Sequence, residues 1–169
     1  MNKRLKVMVH VALLIAIEVV LSRFCSISTQ IGKIGVAFAP LAVCGMLFGP
    51  WWACLAGALA DFVGAILFPI GPYFPGFTIS NALAGLVFGV FLYKQFAGWK
   101  RVAAAVAINN FVISLFLTTW WINLLYGSPY LGILPTRIFQ SVVMTALEFI
   151  VLRLLQKPMS GYARQLRLN

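Results

Sequence analysis

The sequence predicts an all-α integral membrane protein in which six transmembrane helices form a single compact bundle, with both termini in the cytoplasm. Of its 169 residues, 62% are hydrophobic and 9% are charged, and the mean hydropathy is +0.97. A soluble domain carries about a quarter charged residues. Asp61 is the single charged residue between Lys33 and Lys94, so long apolar runs fill the chain. Such runs are typical of helices that cross a bilayer.

The distribution of basic residues predicts which ends of these helices face the cytoplasm. The formal net charge is +10, which by itself would also fit a nucleic-acid-binding protein. Ten of the 13 Lys and Arg residues fall at the two termini or in the loop between the fourth and fifth runs. Cytoplasmic segments of membrane proteins carry this excess of positive charge, so a topology signal is favoured over a nucleic-acid patch.

Proline, glycine and charged residues mark the ends of the predicted helices within a single domain, 1–169. The turn Phe48-Gly49-Pro50 is so short that the second and third helices form an antiparallel hairpin. Segment 126–129 ends the fifth helix, and Lys157-Pro158 is expected to end the sixth. The approximate spans are 5–21, 36–48, 51–67, 78–96, 102–125 and 134–156. Residues 22–35 are predicted to be a loop.

An aromatic segment, Phe68–Asn81, joins the third and fourth helices at the outer end of the bundle. It contains three prolines, two glycines and four aromatic residues, so a helix is not expected before about Thr78. An aromatic belt at the membrane interface would explain its composition. A wall for a ligand that stacks on aromatic rings would explain it as well.

Three basic residues, Arg23, Lys33 and Arg137, fall at the outer ends, where the topology rule does not predict them. Binding of an anion would account for them. The three acidic residues all lie within apolar spans, where a charge is costly and is usually paired or faces a cavity. These residues are Glu18, Asp61 and Glu148. Either they neutralise basic residues of the bundle, or Asp61 or Glu18 accepts hydrogen bonds from a ligand's ring nitrogens.

Several asparagines near the outer ends indicate a pocket. Asn81 follows the aromatic segment, Asn109 and Asn110 lie in the fifth span, and Asn123 lies near Trp120 and Trp121. Asparagine in apolar surroundings more commonly bonds a neighbouring helix. Together with tryptophans and arginines, these residues also fit apolar walls with a few oriented polar groups. The expected ligand is flat, aromatic and negatively charged.

Signatures of catalysis are missing from the sequence. There is no phosphate-binding loop, no zinc-protease or serine-hydrolase motif, and His10 stands alone in the first span. The three cysteines have no metal-ligand spacing and are interpreted as small hydrophobic residues. The chain is therefore expected to need no cofactor and to hydrolyse no ATP itself.

Ala12 and Ala16 are four residues apart in the first span, so they share one helix face. Small residues at this spacing let another helix approach closely. Packing inside the bundle is the ordinary explanation for such a pair. Other pairs of the same kind occur here, including Gly85 and Gly89.

Three blocks of the chain carry a family resemblance: RFCSISTQIGKIGVAFAPLAVCGMLFGP (23–50), GALAD (57–61) and FPIGPYFPGFTISNALAGLVFGVFLYK (68–94). They resemble the folate-specific S components, the substrate-binding subunits of energy-coupling factor (ECF) vitamin transporters. With the AxxxA pair, the resemblance covers roughly residues 5–155. It implies a multi-pass protein of a bacterial plasma membrane that captures folate from outside. The implied partners are a membrane scaffold subunit (the T component), two cytoplasmic ABC ATPases and the surrounding lipid.

The resemblance also suggests roles for individual residues. Ala12 and Ala16 would dock on the scaffold subunit. The folate rings would lie against aromatic residues with one amide bonded to them, and basic residues would bind the carboxylates. These are Tyr73, Phe74, Phe77 and Trp121 with Asn81 for the rings, and Arg23, Lys33 and Arg137 for the carboxylates. The alternatives are an S component for another vitamin and, further off, a solute channel, an intramembrane enzyme or a structural subunit.

Overall fold

Six helices and one short hairpin make up the computed structural model. It describes residues 3–28, 33–69, 71–94, 98–127 and 130–168, of which 3, 28, 33, 130, 131, 133 and 164–168 are described by their backbone alone. The helices are α1 (Lys3–Phe24), α2 (Phe38–Phe48), α3 (Pro50–Leu67), α4 (Pro75–Leu92), α5 (Trp99–Tyr126) and α6 (Tyr130–Leu168).

The predicted helical membrane bundle is confirmed. Within the described ranges, five helices are long and apolar enough to cross a membrane, and α2 is the shorter sixth. The 11 residues of α2 extend about 16 Å, roughly half of a hydrocarbon core of about 30 Å. Large apolar side chains face outward from the bundle, as Leu13, Phe116 and Phe139 do, and this surface suits a lipid solvent.

A β-hairpin occupies part of the segment that the sequence predicted as a loop. Strands β1 (Ser26–Ser28) and β2 (Lys33–Gly35) pair antiparallel, with Ile27 opposite Ile34. Three residues a strand give too little alternation to be recognised in a sequence. The close approach depends on Gly35, where a Cβ would overlap the Cβ of Ser26. The hairpin packs against α1 through β1 and against α6 through β2.

Helix α4 begins at Pro75, and the prediction of a start near Thr78 was wrong. Phe74 is extended, with φ −133° and ψ 121°, and caps the helix. Proline is well tolerated in the first helical turn because its missing N–H would have no partner there. This early start places Phe77 and Thr78 on the first turn of a rigid helix, where their side chains are fixed in direction.

Helix α6 is longer than predicted at both ends. It begins at Tyr130, and both Pro135 and Pro158 lie inside it. A proline in a helix interior costs about 3 kcal/mol, but it removes a single donor, and residues on both sides keep their helical bonds. Membrane helices in particular tolerate proline because neighbouring groups compensate for the lost bond. The predicted end at Lys157-Pro158 was therefore wrong.

Glycines allow α3 and α4 to pack more extensively than any other pair of helices. A Cβ at Gly85 would overlap the carbonyl oxygen of Ala53, and one at Gly89 would overlap the Cα of Pro50. The pair Gly85 and Gly89 thus serves packing inside the bundle, which is the ordinary role of small residues at this spacing. The two helices carry Asp61 and Asn81, so this close packing also fixes one wall of the site.

Candidate functional site

A cavity of about 680 Å³ lies in the outer half of the bundle. Specific small-molecule sites have volumes of roughly 300–1,000 Å³. The hairpin and helices α1 to α6 all contribute to its lining. Of the residues predicted to bind a ligand, six line it: Arg23, Tyr73, Phe74, Phe77, Asn81 and Arg137. All three acidic residues of the chain line it as well: Glu18, Asp61 and Glu148.

Arg23 lies at the outer end of the cavity, in the last turn of α1. A Cβ at Gly64 would lie 3.0 Å from its Nε, so α3 passes directly beneath the guanidinium. Its Nε is buried and has no hydrogen-bond partner among the described residues. Asp61 attracts it electrostatically. A guanidinium held in this way, with a donor unused, is suited to bind an anionic group.

Aromatic side chains form the wall below this cation. The ring of Tyr73 packs edge-on against Phe62, with centroids 5.9 Å apart, and its hydroxyl lies 3.2 Å from Oγ1 of Thr78. Thr78 in turn donates a 2.7 Å hydrogen bond to Oδ2 of Asp61. Phe74 and Phe77 pack edge-to-face at 5.9 Å. The wall is thus held by its own contacts and offers ring surfaces to the cavity.

Trp121, which the sequence assigned to the same wall, does not line the cavity. Its ring packs behind Phe74 at 5.7 Å, and its Nε1 donates a 3.2 Å hydrogen bond to Oγ of Ser80. A Cβ at Gly76 would come within 2.6 Å of the indole. Trp121 therefore supports the wall from outside. The neighbouring Trp120 is 55% exposed on the outer surface of the bundle.

Arg137 is 3% exposed and forms part of the opposite wall. Its Nε donates to Oγ1 of Thr119 at 3.2 Å, and its two terminal nitrogens donate to Oε1 of Gln140 at 3.1 Å and to the carbonyl of Ser114 at 2.7 Å. Each of these acceptors is neutral. These contacts hold the guanidinium in place against the wall.

A π-helical segment of α5, Ile108–Thr118, provides one of these acceptors. At its end the N–H of Thr119 bonds to the carbonyl of Phe116, so this N–H does not reach Ser114, the partner that continued π-helical bonding would give it. The Ser114 carbonyl can therefore turn to Arg137. π-helical turns are frequent at functional sites. Nothing in the sequence predicted this one.

The deep end of the cavity is polar and acidic. Glu148 is 3% exposed, and its Oε2 accepts hydrogen bonds from Asn110 at 2.9 Å and from Asn109 at 3.4 Å. On the opposite side, Asn81 donates both to Glu18 and to the carbonyl of Gly57, each at 3.1 Å. Of the two roles predicted for the acids, pairing with a basic residue fits Asp61, which lies near Arg23. It does not fit Glu148, whose described partners are the amides of Asn109 and Asn110. The asparagines do bond neighbouring helices, as their ordinary role predicts.

Lys33 pairs with Ser28 in the hairpin, while its side chain lies outside the described part of the structure. Ser80, Thr119 and Gln140 contribute polar atoms near the cavity, and the sequence did not indicate them because isolated hydroxyls and amides are common in membrane helices.

Comparison with protein families identifies the type of protein. Residues 6–155 match the family described as the substrate-specific component of the ECF transporter. This chain belongs to that family. The resemblance seen in the sequence is therefore confirmed. The prediction of a multi-pass membrane protein from a bacterium is confirmed as well, by the apolar helices and by the bacterial relatives.

Relatives of this substrate-specific component share most of its length. A protein from Clostridium novyi (strain NT), named folate transporter FolT, is 39% identical over 150 residues, which are 89% of this chain and 87% of that protein. A folate transporter FolT of Leuconostoc mesenteroides is 25% identical over 146 residues, covering 83% and 78% of the two chains. A solved structure described as FolT bound with folic acid superposes with a TM-score of 0.85 at 37% identity. The match covers 89% of this chain and 92% of the other.

The paired alanines of this substrate-specific component lie on the outside of the bundle. Ala12 and Ala16 are both exposed, on the same side of α1 as Val9, Leu13 and Val20. Packing inside the bundle, the ordinary explanation for such a pair, is therefore excluded by the structure. The pair leaves a shallow strip on an otherwise bulky apolar face.

Proposed function

We propose that this chain is the folate-binding subunit of an ECF transporter and captures the vitamin from outside the cell. The observation that carries the proposal is the order of chemical groups along the cavity, from its mouth to its deep end. A guanidinium with an unused donor lies at its mouth, aromatic rings form its wall, and carboxylates with amides lie at its deep end. Folate has the complementary order, with carboxylates at one end and a ring rich in donors at the other. The named relatives support the same ligand.

The rings of folate would lie against Tyr73, Phe74 and Phe77, and Trp121 would keep Phe74 in place. Asn81 would also hydrogen-bond the rings. Because its amide nitrogen already donates to Glu18 and to the carbonyl of Gly57, a ring N–H would donate to its side-chain oxygen.

Arg23 and Arg137 would bind the carboxylates, with Lys33 as a third cation on the hairpin. Arginine can bind a carboxylate through two parallel hydrogen bonds, which are strong when water is excluded. Since Arg137 is already held by three protein acceptors, Arg23 is the cation with the larger share of the binding energy.

Transport would depend on partners. No phosphate-binding loop occurs in the sequence, so ATP would be hydrolysed by two ABC ATPases that act through a membrane scaffold subunit. The exposed strip at Ala12 and Ala16 would be the docking surface for that subunit. Small side chains allow two helices to approach closely, and such a contact buries little side-chain bulk and can separate again.

Calorimetric titration of the purified chain tests the ligand. We expect tight binding of folate and none of pantothenate, riboflavin or thiamine at the same concentrations. Arg23→Ala should weaken folate binding well over tenfold, because loss of one partner of a buried charge pair costs roughly 2–5 kcal/mol. Arg101→Ala, an exposed arginine outside the cavity, is the matched control. Tighter binding of another vitamin than of folate would refute the proposal.

A further inference from the structure

Thr78 joins two residues of the cavity wall without lining the cavity itself. Its Oγ1 donates a 2.7 Å hydrogen bond to Oδ2 of Asp61 on α3, and it lies 3.2 Å from the hydroxyl of Tyr73. Asp61 and Tyr73 both line the cavity, whereas Thr78 does not. Two groups that face the cavity are therefore linked by a hydroxyl that lies behind the wall.

The directions of these two hydrogen bonds follow from the chemistry of the three groups. A carboxylate oxygen only accepts, so the single proton of the Thr78 hydroxyl lies toward Asp61. Thr78 is then the acceptor in its contact with Tyr73, and the proton of the Tyr73 hydroxyl lies toward Thr78. The three residues form a directed relay, from Tyr73 through Thr78 to Asp61. Hydrogen bonds in such a chain polarise one another, and the bond to the carboxylate is of the stronger, charge-assisted kind.

Tyr73 depends on this relay for the direction of its side chain. It lies in the non-helical segment 71–74 between α3 and α4, and it is 45% exposed. Its described ring contact is with Phe62, edge-on at 5.9 Å. That contact holds the ring against α3, and the bond to Thr78 holds the hydroxyl end against α4. Together they fix which face of the ring is turned to the cavity.

At its other end the relay fixes the rotation of the Asp61 carboxyl group. Thr78 is the described hydrogen-bond donor to this group and occupies Oδ2. Asp61 also attracts the guanidinium of Arg23 electrostatically. Arginine pairs most strongly with a carboxylate through two parallel hydrogen bonds, and an oxygen that is already bonded to Thr78 disfavours such a closed pair. The relay therefore leaves donors of Arg23 for a ligand, in agreement with the unused Nε.

We infer that Thr78 is a positioning residue of the folate site, which acts on the ligand through Tyr73 and Asp61. The inference rests on the proposed function, because it concerns the same cavity, and it adds a residue that does not touch the ligand. Through Tyr73 it directs one ring of the wall, and through Asp61 it holds the group beside Arg23. One hydroxyl thereby sets the aromatic wall and the cation at the mouth relative to each other.

Thr78→Val tests this role because it removes the hydroxyl and conserves the shape of the side chain. We expect folate affinity in a calorimetric titration to fall roughly tenfold, the order that loss of a hydrogen bond to a charged group gives. The melting temperature of the unliganded protein should stay within a few degrees of the wild type. Thr78→Ser restores the hydroxyl, so its affinity should return to within about twofold of the wild type.

Thr145→Val is the matched control for this substitution. The Thr145 hydroxyl donates to the carbonyl of Ser141 in its own helix, and Thr145 does not line the cavity, so folate affinity should not change. Wild-type affinity in Thr78→Val would overturn the inference, as would a Thr78→Ser variant that binds as weakly as Thr78→Val.

A double-mutant cycle with Tyr73→Phe separates the relay from independent effects of the two residues. Tyr73→Phe keeps the ring and removes its hydroxyl, so it should weaken folate binding by itself. Because this hydroxyl acts through Thr78, the double variant should bind folate no more weakly than Thr78→Val alone. If the two losses multiply instead, the hydroxyls act independently and the relay does not exist. If the wild-type protein binds no folate at all, the proposed function itself fails, whereas unchanged affinity in Thr78→Val leaves that function intact.

Discussion

The Arg23 guanidinium depends on a single position of the facing helix, Gly64. A Cβ there would lie 3.0 Å from Nε and 3.1 Å from a terminal nitrogen of Arg23. These distances are shorter than ordinary van der Waals contact, so a side chain at position 64 shifts the guanidinium by a few tenths of an ångström. Arg23 is long and flexible, so we expect it to give way and to change its position relative to the cavity.

Gly64→Ala should therefore weaken folate binding without unfolding the protein. Moving Arg23 from its preferred rotamer costs of order 0.5–1.5 kcal/mol, which corresponds to a loss of affinity of roughly two- to tenfold. Alanine also favours the helix over glycine by about 1 kcal/mol, so stability should not fall. Titration calorimetry and a thermal melt measure the two effects separately.

Gly161→Ala is the control for this substitution. Gly161 also lies in a helix, and a Cβ there meets nothing within 4 Å, so the propensity gain remains while Arg23 is untouched. Equal folate affinity in Gly64→Ala and the wild type would show that the position of Arg23 does not limit binding.

Residues that line the cavity could be predicted from the sequence where their chemistry is rare in a membrane. Arg23, Arg137 and the three acids attracted notice because charge within an apolar chain needs a reason, and the structure gathers them around one cavity. Trp121 packs behind Phe74 and does not line the cavity, because a sequence shows that an aromatic residue is near a site but not which side of a wall it occupies. The roles of Ser80 and Gln140 have no signal of this kind.

At the scale of helices, the contact of α3 with α4 determines the shape of the site. These two helices carry Asp61, Phe77 and Asn81 on facing sides, and glycines remove the side chains that would keep them apart. Gly85 approaches the backbone carbonyl of Ala53, and a backbone atom in a helix cannot give way as a flexible side chain can.

Gly85→Ala should destabilise the bundle. The added methyl would overlap the Ala53 carbonyl, and overpacking of a well-packed contact costs typically 1–3 kcal/mol. A lower melting temperature and a lower yield of monodisperse protein are expected, whereas Gly161→Ala should leave both unchanged or slightly improved. A melting temperature for Gly85→Ala at or above that of the wild type would show that the helices can separate without cost.

The helices themselves were predictable and several of their ends were not. Long apolar runs with few charges identify membrane helices because the bilayer permits little else. The ends of the helices depend on weaker local interactions. Pro75 starts a helix while Pro135 and Pro158 lie within one, and the same residue type gives these opposite outcomes according to the neighbours that compensate for its missing donor. The hairpin and the π-helical segment arise from tertiary contacts that no local pattern encodes.

At the scale of the whole molecule, the cavity and the proposed docking strip occupy separate surfaces. The cavity opens in the outer half of the bundle, whereas Ala12 and Ala16 lie outside it on the exposed face of α1. Val11 and Glu18, on the opposite side of the same helix, are buried in the bundle. One helix therefore carries part of the cavity lining on its inner face and the proposed contact for the scaffold subunit on its outer face. A substitution on the outer face should separate the two activities.

The variant Ala12→Leu with Ala16→Leu should retain folate binding and lose transport. Both alanines are exposed, so leucine adds bulk to the surface without entering the core, and folate affinity should stay within about twofold. Close approach of a partner helix requires small residues at this spacing, so ATP-dependent uptake of labelled folate into vesicles that contain the scaffold and ATPase subunits should fall to background. Ala146→Leu is the matched control, because Ala146 is an exposed alanine on α6. If the double variant transports folate at the wild-type rate, the strip on α1 is not the docking surface. If it loses folate binding as well, the two faces of α1 are not independent.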